Sequence, residues 1–295
     1  MKTSFYKRLS RTIRGRLRSR ILAGYGIGVV AVTHNGTLVV DPGDFNVSRQ
    51  LLNRGQYDWD EVQLLASLLD QTSRIVFVGA HVGALLVPVT KASGASEVIA
   101  YEPSPKNHRM LLMNLALNGL QRVRVENAAV GAEPGTVRFT ENRINTGNSR
   151  VLRDSGEIEV SVVTLDDTLP QSWPVVDLIV MDVEGFEVNA MRGAARTLAK
   201  TRRLYIEFAP EQLEEQGSSV DEFVELTSAH FTSAYIMGKE RCFLPPGQFP
   251  DYLRTLPRRR GLLLNLLFTR EEGVDPRWLS VRDESRPETK DVVAV

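Results

Sequence analysis

RIVFVGAHVGALLVPVTKASGASEVIAYEP, residues 74–103, decides the fold. Ile75, Val76, Phe77 and Val78 form an apolar β run that enters the turn Gly79-Ala80-His81-Val82-Gly83. A helical stretch follows over residues 85–92, and residues 97–101 make a second β-rich run closed by Glu102. Strand, glycine turn, helix and strand in that order outline a nucleotide-binding βαβ unit. Gly79 and Gly83 lack a Cβ, so the backbone can turn sharply and approach a ligand lying across the strand end. Glu102 stands 19 residues beyond Gly83, at the tip of the neighbouring strand, where a carboxylate can accept hydrogen bonds from two ribose hydroxyls.

The turn is GxxxG rather than GxGxxG, and His81 and Val82 stand where a dinucleotide fold needs its middle glycine. That glycine lets a pyrophosphate settle on the helix N-terminus. The loop therefore suits a ligand with ribose and adenine but no diphosphate, which favours S-adenosylmethionine over NAD. Alone, GAHVG describes a glycine turn of any α/β protein; Glu102 in register gives it meaning.

With 295 residues, 42% of them hydrophobic and 24% charged, the chain has the composition of a globular enzyme with one large core or two modest ones. No stretch approaches the roughly 20 apolar residues of a membrane span. Cys242 is the single cysteine, which excludes an intrachain disulfide and a cysteine metal cluster and fits a reducing, cytoplasmic compartment. The net charge of zero hides an asymmetry: residues 1–20 hold eight bases and no acid, so the rest of the chain carries −8. Phe5, Leu9, Ile13, Leu17 and Ile21 recur every fourth residue among those bases, a pattern for a helix with an apolar stripe and a cationic back. A peripheral membrane contact through residues 1–22, or a contact with a partner's acidic surface, is the functional reading. The plainer one docks the stripe on the protein body or leaves a frayed terminus, and Gly15 weakens the helix by about 1 kcal/mol against alanine.

Residues 28–33 and 37–40 are β-rich runs around Asn35-Gly36, a hairpin signal. Residues 58–69 read as a helix with Asp58 as N-cap and Val62, Leu65, Leu68 and Leu69 on its apolar face. Ser104 caps a helix over residues 105–118, and residues 123–130 read as a third strand. Residues 135–139 and 157–163 alternate with a period of two around the polar loop 141–149, which marks an antiparallel excursion. Strand 175–181, helix 187–199, strand 204–208, helix 220–231, strand 234–237 and a closing strand 262–269 restore the α/β rhythm. The expected fold class is α/β, a doubly wound, mostly parallel, Rossmann-like sheet. Its organisation is a basic segment over 1–27, a hairpin and helix over 28–73 packed on the core, the main domain over 74–270, and a disordered tail over 271–295.

The second constellation is Val175-Val176-Asp177-Leu178-Ile179-Val180-Met181-Asp182-Val183-Glu184-Gly185-Phe186-Glu187, an apolar strand ending in three carboxylates. Ligands of open α/β sheets lie at the C-terminal strand ends, so Asp182 and Glu184 should face the crevice of the glycine turn. With this piece the chain resembles the FkbM-type family of S-adenosylmethionine-dependent methyltransferases over residues 30–270. Val78 to Gly83 is similar to the family's VGANxG turn, Tyr101-Glu102-Pro103-Ser104-Pro105 to its EPxP, and Asn118 to the end of its helix. Ala128-Ala129-Val130-Gly131 resembles the segment after the third strand, Val163-Thr164-Leu165-Asp166-Asp167 the TLDD, Met181 to Glu187 the DVEGxE, and Ile206-Glu207 the next strand's closing acid. Two positions depart: the family usually has Asp where Phe77 stands and Lys where Val180 stands. The missing acid would normally help hold the cofactor's ammonium.

The resemblance implies a class I methyltransferase fold and methyl transfer from S-adenosylmethionine to a small-molecule or glycan hydroxyl, with no nucleic-acid partner. It places Glu102 on the ribose hydroxyls, Gly79, Ala80, His81, Val82, Gly83 and Pro103 around the methionine and ribose, and Asn127 and Ala128 at the adenine edge. Asp182 takes the ammonium left unserved by Phe77 or orients the acceptor. Glu184 is the candidate base or acceptor contact, with His81 and Glu207 behind it. Asn145 and Asn148, in the donor-rich loop 142–150, and Glu207 are the candidate substrate contacts; a solvated hairpin tip is that loop's plainer reading. Glu184 has a plainer reading too, as a cap of the helix beginning near Glu187, a placement worth about 0.3–1 kcal/mol. Asp166 and Asp167 read as local caps. Asp182, Glu184 and Glu207 carry the hard oxygens that a divalent cation takes, but no ligand spacing supports one, so no metal is expected. A nicotinamide oxidoreductase is opposed by the missing middle glycine. A non-catalytic cofactor-binding module, tethered by the basic segment, stays open because of Phe77 and Val180, and the oligomeric state is also open.

Overall fold

The computed structural model describes residues 28–140, 150–151, 158–237, 242–258 and 261–271. The basic segment over 1–27, the loop residues Asn145 and Asn148, and the tail beyond residue 271 lie outside the described residues.

In chain order the described strands are β1 (Val29–Thr33), β2 (Gly36–Val40), β3 (Arg74–Val78), β4 (Glu97–Tyr101), β5 (Arg124–Glu126), β6 (Ala129–Val130), β7 (Gly135–Thr140), β8 (Arg150–Val151), β9 (Ile158–Val163), β10 (Val176–Met181), β11 (Thr201–Phe208), β12 (Ser233–Ile236), β13 (Cys242–Leu244) and β14 (Leu264–Thr269). Eight of them form the central sheet in the order β13-β12-β14-β11-β10-β3-β4-β5. From β11 to β5 the strands run parallel, and β14 lies antiparallel between β11 and β12. A parallel sheet covered on both faces needs continuous apolar strands, and β10 is buried at all its positions. The chain leaves β3 toward β5, then returns to the other side of β3 as β10 and continues to β11. Strand order therefore reverses between β3 and β10, and a crevice opens at their C-terminal ends.

Side chains alternate between the two faces of these strands. Val76, Val78, Ile179 and Met181 enter one apolar layer with Phe208, Phe223 and Phe268. Ile75, Phe77, Leu178 and Val180 enter the other with Leu38, Val62 and Leu65, so the β1–β2 hairpin and the helix Trp59–Ser67 cover that face. Buried amides join the hairpin to the glycine turn: Asn114 donates to the Val39 and Val82 carbonyls at 3.0 and 2.7 Å, and Asn35 donates to the Ala84 carbonyl at 2.9 Å. β7 pairs antiparallel with β9, as the two-residue alternation predicts, and β6 adds to β9 in parallel.

Some boundaries differ from the sequence expectation for identifiable reasons. Residues 123–130 are two strands in different sheets, β5 and β6, because Asn127 turns the chain between them by donating to the Glu102 and Pro103 carbonyls at 2.8 and 3.1 Å. Residues 187–199 are two helices, Glu187–Arg192 and Ala195–Ala199, separated where Gly193 packs so closely on the Gly131 carbonyl that a Cβ would lie 1.9 Å from its oxygen. Asp58 makes no side-chain cap; its backbone sits at φ 42° and its carbonyl accepts from Glu61 and Val62 N–H. Ser104 does cap its helix, accepting from Asn107 N–H at 3.1 Å. The helices Val47–Arg54, Pro210–Glu215 and Phe249–Thr255 and strand β13 were not expected. The first begins where the Asp44 carboxylate accepts from Ser48 N–H at 2.7 Å.

Candidate active site

β3 delivers its chain to the reversal point, where the glycine turn must bend without side-chain bulk. Gly79 has φ 81°, and a Cβ there would lie 1.8 Å from the Asp182 carbonyl oxygen. The N–H groups of Gly79 and Ala80 both donate to the Tyr101 carbonyl at 3.0 Å, tying the turn to the end of β4. Glu102 follows at once and is 4% exposed. Its Oε2 accepts from His81 N–H at 2.7 Å and its Oε1 from Ser104 N–H at 2.9 Å. Two backbone donors thus fix the carboxylate that the sequence assigns to a ribose.

His81 itself sits at φ 51°, and burial lowers its imidazole pKa to about 4, with Asp44 opposing that shift and Lys106 adding to it. The unfolded chain takes up the proton near the ordinary value of 6.5, so the neutral ring's contribution to stability is complete above that pH. It disappears as the pH falls toward about 4. His81→Asn keeps a residue that tolerates positive φ and removes the titration. Its unfolding midpoint should therefore drop less than the parent's between about pH 7 and about pH 5. Equal drops in urea melts of the two proteins would show that His81 does not carry this dependence.

On the facing strand, Asp182 N–H donates to the Val78 carbonyl at 3.0 Å, extending the β3–β10 register past Met181. Glu184 and Gly185 then form a left-handed corner, with φ 55° and 96°. A Cβ on Gly185 would lie 2.6 Å from the Gln212 carbonyl oxygen. Glu187 Oε1 accepts from Val183 and Gly185 N–H at 3.1 and 3.2 Å. Glu187 thus holds the turn that precedes its helix, whose N-terminus has no side-chain cap, so the capping role weighed for Glu184 is not filled by it. Glu184 instead accepts from Gln212 Nε2 at 3.2 Å and lines the cleft. β11 adds Glu207, and one carboxylate oxygen from each of Asp182, Glu184 and Glu207 falls within 4.8 Å of the others.

Burial pushes the Asp182 pKa up to about 6, helped by the charge of Asp58. Burial also raises Glu187 to about 7 against its own backbone hydrogen bonds. Glu207 rises well above the carboxylate range through burial first, then repulsion from Asp182, Glu184, Glu187 and Asp58.

The cleft brings together Gly79, Ala80, His81, Glu102, Pro103, Ala128, Asp182, Glu184 and Glu207. It does not include Val82, whose side chain joins the apolar layer beneath, or Gly83, which packs on Leu111. Asn127 is exposed, its amide engaged with the Glu102 and Pro103 carbonyls rather than presented to a ligand. Asp166 accepts from Arg196 and Thr197 N–H at 2.9 and 2.8 Å, a cap of the helix Ala195–Ala199. Sequence reasoning missed Val47, Tyr57 and Phe186 on the cleft wall and Gln212 behind Glu184. Phe186 and Glu187 were visible inside the acidic motif; the other three carry no local signal.

A glycine turn and an acid at neighbouring parallel strand ends, beside the reversal point of a mostly parallel sheet, define a Rossmann-like nucleotide-binding fold. Residues 78–234, more than half of the chain, match the methyltransferase FkbM domain, and the chain belongs to that family. "Methyltransferase 1" of Beauveria bassiana is 24% identical over 144 residues, covering 41% of this chain and 58% of the relative. The "2-O-methyltransferase NoeI" of Sinorhizobium fredii is 26% identical over 171 residues, covering 51% of this chain and 70% of the relative. Among solved structures, a putative transferase of Pyrococcus horikoshii aligns with a TM-score of 0.46 at 15% identity, over 81% of this chain and 70% of its own. TYW2 of P. horikoshii, solved in complex with MeSAdo, aligns at 0.44 and 15% identity, over 82% and 72%. No helix among the described residues is long and apolar enough to cross a membrane.

Proposed function

We propose that the protein is an S-adenosylmethionine-dependent O-methyltransferase acting on a hydroxyl of a saccharide, glycolipid or secondary metabolite. The observation that carries this reading is Glu102, buried at the end of β4 and oriented by His81 and Ser104 N–H above a turn with no room for a Cβ at Gly79. A fixed carboxylate beside bare backbone suits a nucleoside diol, and the side chain at His81, where a dinucleotide turn needs glycine, argues against a diphosphate. Membership of the FkbM family supports methyl transfer, and similarity to the 2-O-methyltransferase of Sinorhizobium fredii supports oxygen as the acceptor.

When bound, the cofactor supplies an electrophilic methyl group whose displacement leaves a neutral thioether. The protein's part is alignment, exclusion of water and removal of the acceptor's proton. Glu184 is the candidate base, since its carboxylate lines the cleft in a corner fixed by Gly185 and Gln212. Asp182 shares that face with Glu184 and Glu207, which favours acceptor orientation among the two roles open to it. Phe77 and Val180 line the same cleft and keep a binding module without turnover as the second reading.

Glu102→Ala should weaken S-adenosylmethionine binding by about 1.5–3 kcal/mol, the range for hydrogen bonds to a charged group. Calorimetric titration measures it, and an unchanged affinity refutes the assignment. Transfer of labelled methyl over a panel of glycans and small alcohols then separates an enzyme from a module that binds without turnover.

A further inference from the structure

We propose that Asp182, Glu184 and Glu207 form a site for a hard divalent cation such as Mg2+ or Mn2+ on the acceptor side of the cleft. Sequence spacing gave no reason to expect one, because Glu207 comes from a different strand. The fold supplies the proximity that spacing lacks: one oxygen from each carboxylate lies within 4.8 Å of the others. Adjacent ligands of an octahedral Mg2+ stand about 2.9 Å apart and opposite ones about 4.2 Å, so the three oxygens reach that geometry by drawing together on the ion through side-chain rotation. A second, independent observation points to an occupant. Glu207 is 7% exposed, lines the cleft, and its Oε2 has no hydrogen-bond partner among the described residues. A buried carboxylate oxygen left in that state is costly unless a cation or donor meets it. Carboxylate oxygens select Mg2+, Mn2+ or Ca2+ over softer metals.

The ion site stands on these residues alone; its use rests on the methyltransferase reading. A cation at this place keeps open positions for two oxygens of an acceptor, which selects acceptors that chelate, such as the vicinal diol of a sugar. It also draws electron density from the bound hydroxyl and eases loss of its proton.

The test uses the full chain stripped with a chelator and titrated with MnCl2, following loss of the free-ion paramagnetic resonance signal, alone and with saturating S-adenosylhomocysteine. The expected result is one Mn2+ per chain, retained with S-adenosylhomocysteine bound. Glu207→Gln should weaken Mn2+ by about tenfold or more and leave S-adenosylhomocysteine affinity within about twofold. Glu184→Gln, checked for folding by circular dichroism, serves should the first variant misfold. Absence of bound Mn2+ at millimolar concentration overturns the proposal, as does binding unchanged in the folded variants. Mutual exclusion of Mn2+ and S-adenosylhomocysteine also overturns it, because the acids then belong to the cofactor's ammonium. Mn2+ binding by a protein that takes no S-adenosylhomocysteine upholds the ion site and removes the methyltransferase reading.

Discussion

Phe77→Asp is expected to destabilise the fold by about 3–5 kcal/mol, the range for a buried charge without its partner or for a deleted core ring. Phe77 is 2% exposed, and its register partner across β3 and β10 is Val180, 4% exposed. These two are the positions at which the chain departs from the Asp and Lys usual in the family it resembles, and the two departures are neighbours in space. An apolar pair on neighbouring strands thus stands where the resemblance sets an acid and a base, and an apolar pair in place of a buried ion pair is often neutral or stabilising. Val180→Lys alone should also be costly, because it buries an ammonium in the layer containing Leu178 and Tyr205. The double variant restores a counter-charge, and its cost should fall short of the sum of the single costs by about 1 kcal/mol or more. Urea denaturation of the three variants and the parent gives the cycle. Additive costs would mean that the two positions are independent in the fold.

The contrast between what the sequence disclosed and what it concealed follows the range of the interactions involved. The βαβ unit was legible because an apolar run, a glycine turn and a closing acid each act within a few residues of the chain. Residues 123–130 misled because their apolar content fits one strand, whereas the bonds that bend them run from Asn127 to carbonyls 25 and 24 residues away. The helix break at Gly193 depends on the Gly131 carbonyl and leaves no local periodic signal. At the site, Glu102 could be placed from spacing alone. The roles of Glu184 and Glu187 could not, because only the left-handed corner at 184–185 turns Glu184 to the cleft and leaves Glu187 to hold the turn. Asp182, Glu184 and Glu207 could be named together from the sequence, but no ligand spacing fixed their distance, which needs the pairing of β10 with β11.

Gly79→Ala should cost about 2–5 kcal/mol and remove cofactor binding, for two separable reasons. At φ 81° an alanine pays the left-handed penalty of about 1–2 kcal/mol that any residue with a Cβ meets. Its methyl would also lie 1.8 Å from the Asp182 carbonyl oxygen, a backbone atom that cannot swing aside. Relief requires β3 and β10 to part at their C-terminal ends, a forced shift that costs about 1–3 kcal/mol in packed interiors. That movement is transmitted to both halves of the site, because His81 N–H holds Glu102 and Asp182 N–H holds the Val78 carbonyl. Gly55→Ala is the control: φ is 72° but nothing lies within 4 Å of the added Cβ, so it meets the conformational penalty without the collision. Denaturation midpoints of the two variants therefore isolate the close approach, and calorimetric titration with S-adenosylhomocysteine reads its effect on the site. A Gly79→Ala protein no less stable than Gly55→Ala, with its ligand affinity intact, would show that the contact between turn and β10 does not position Glu102 against the acidic face.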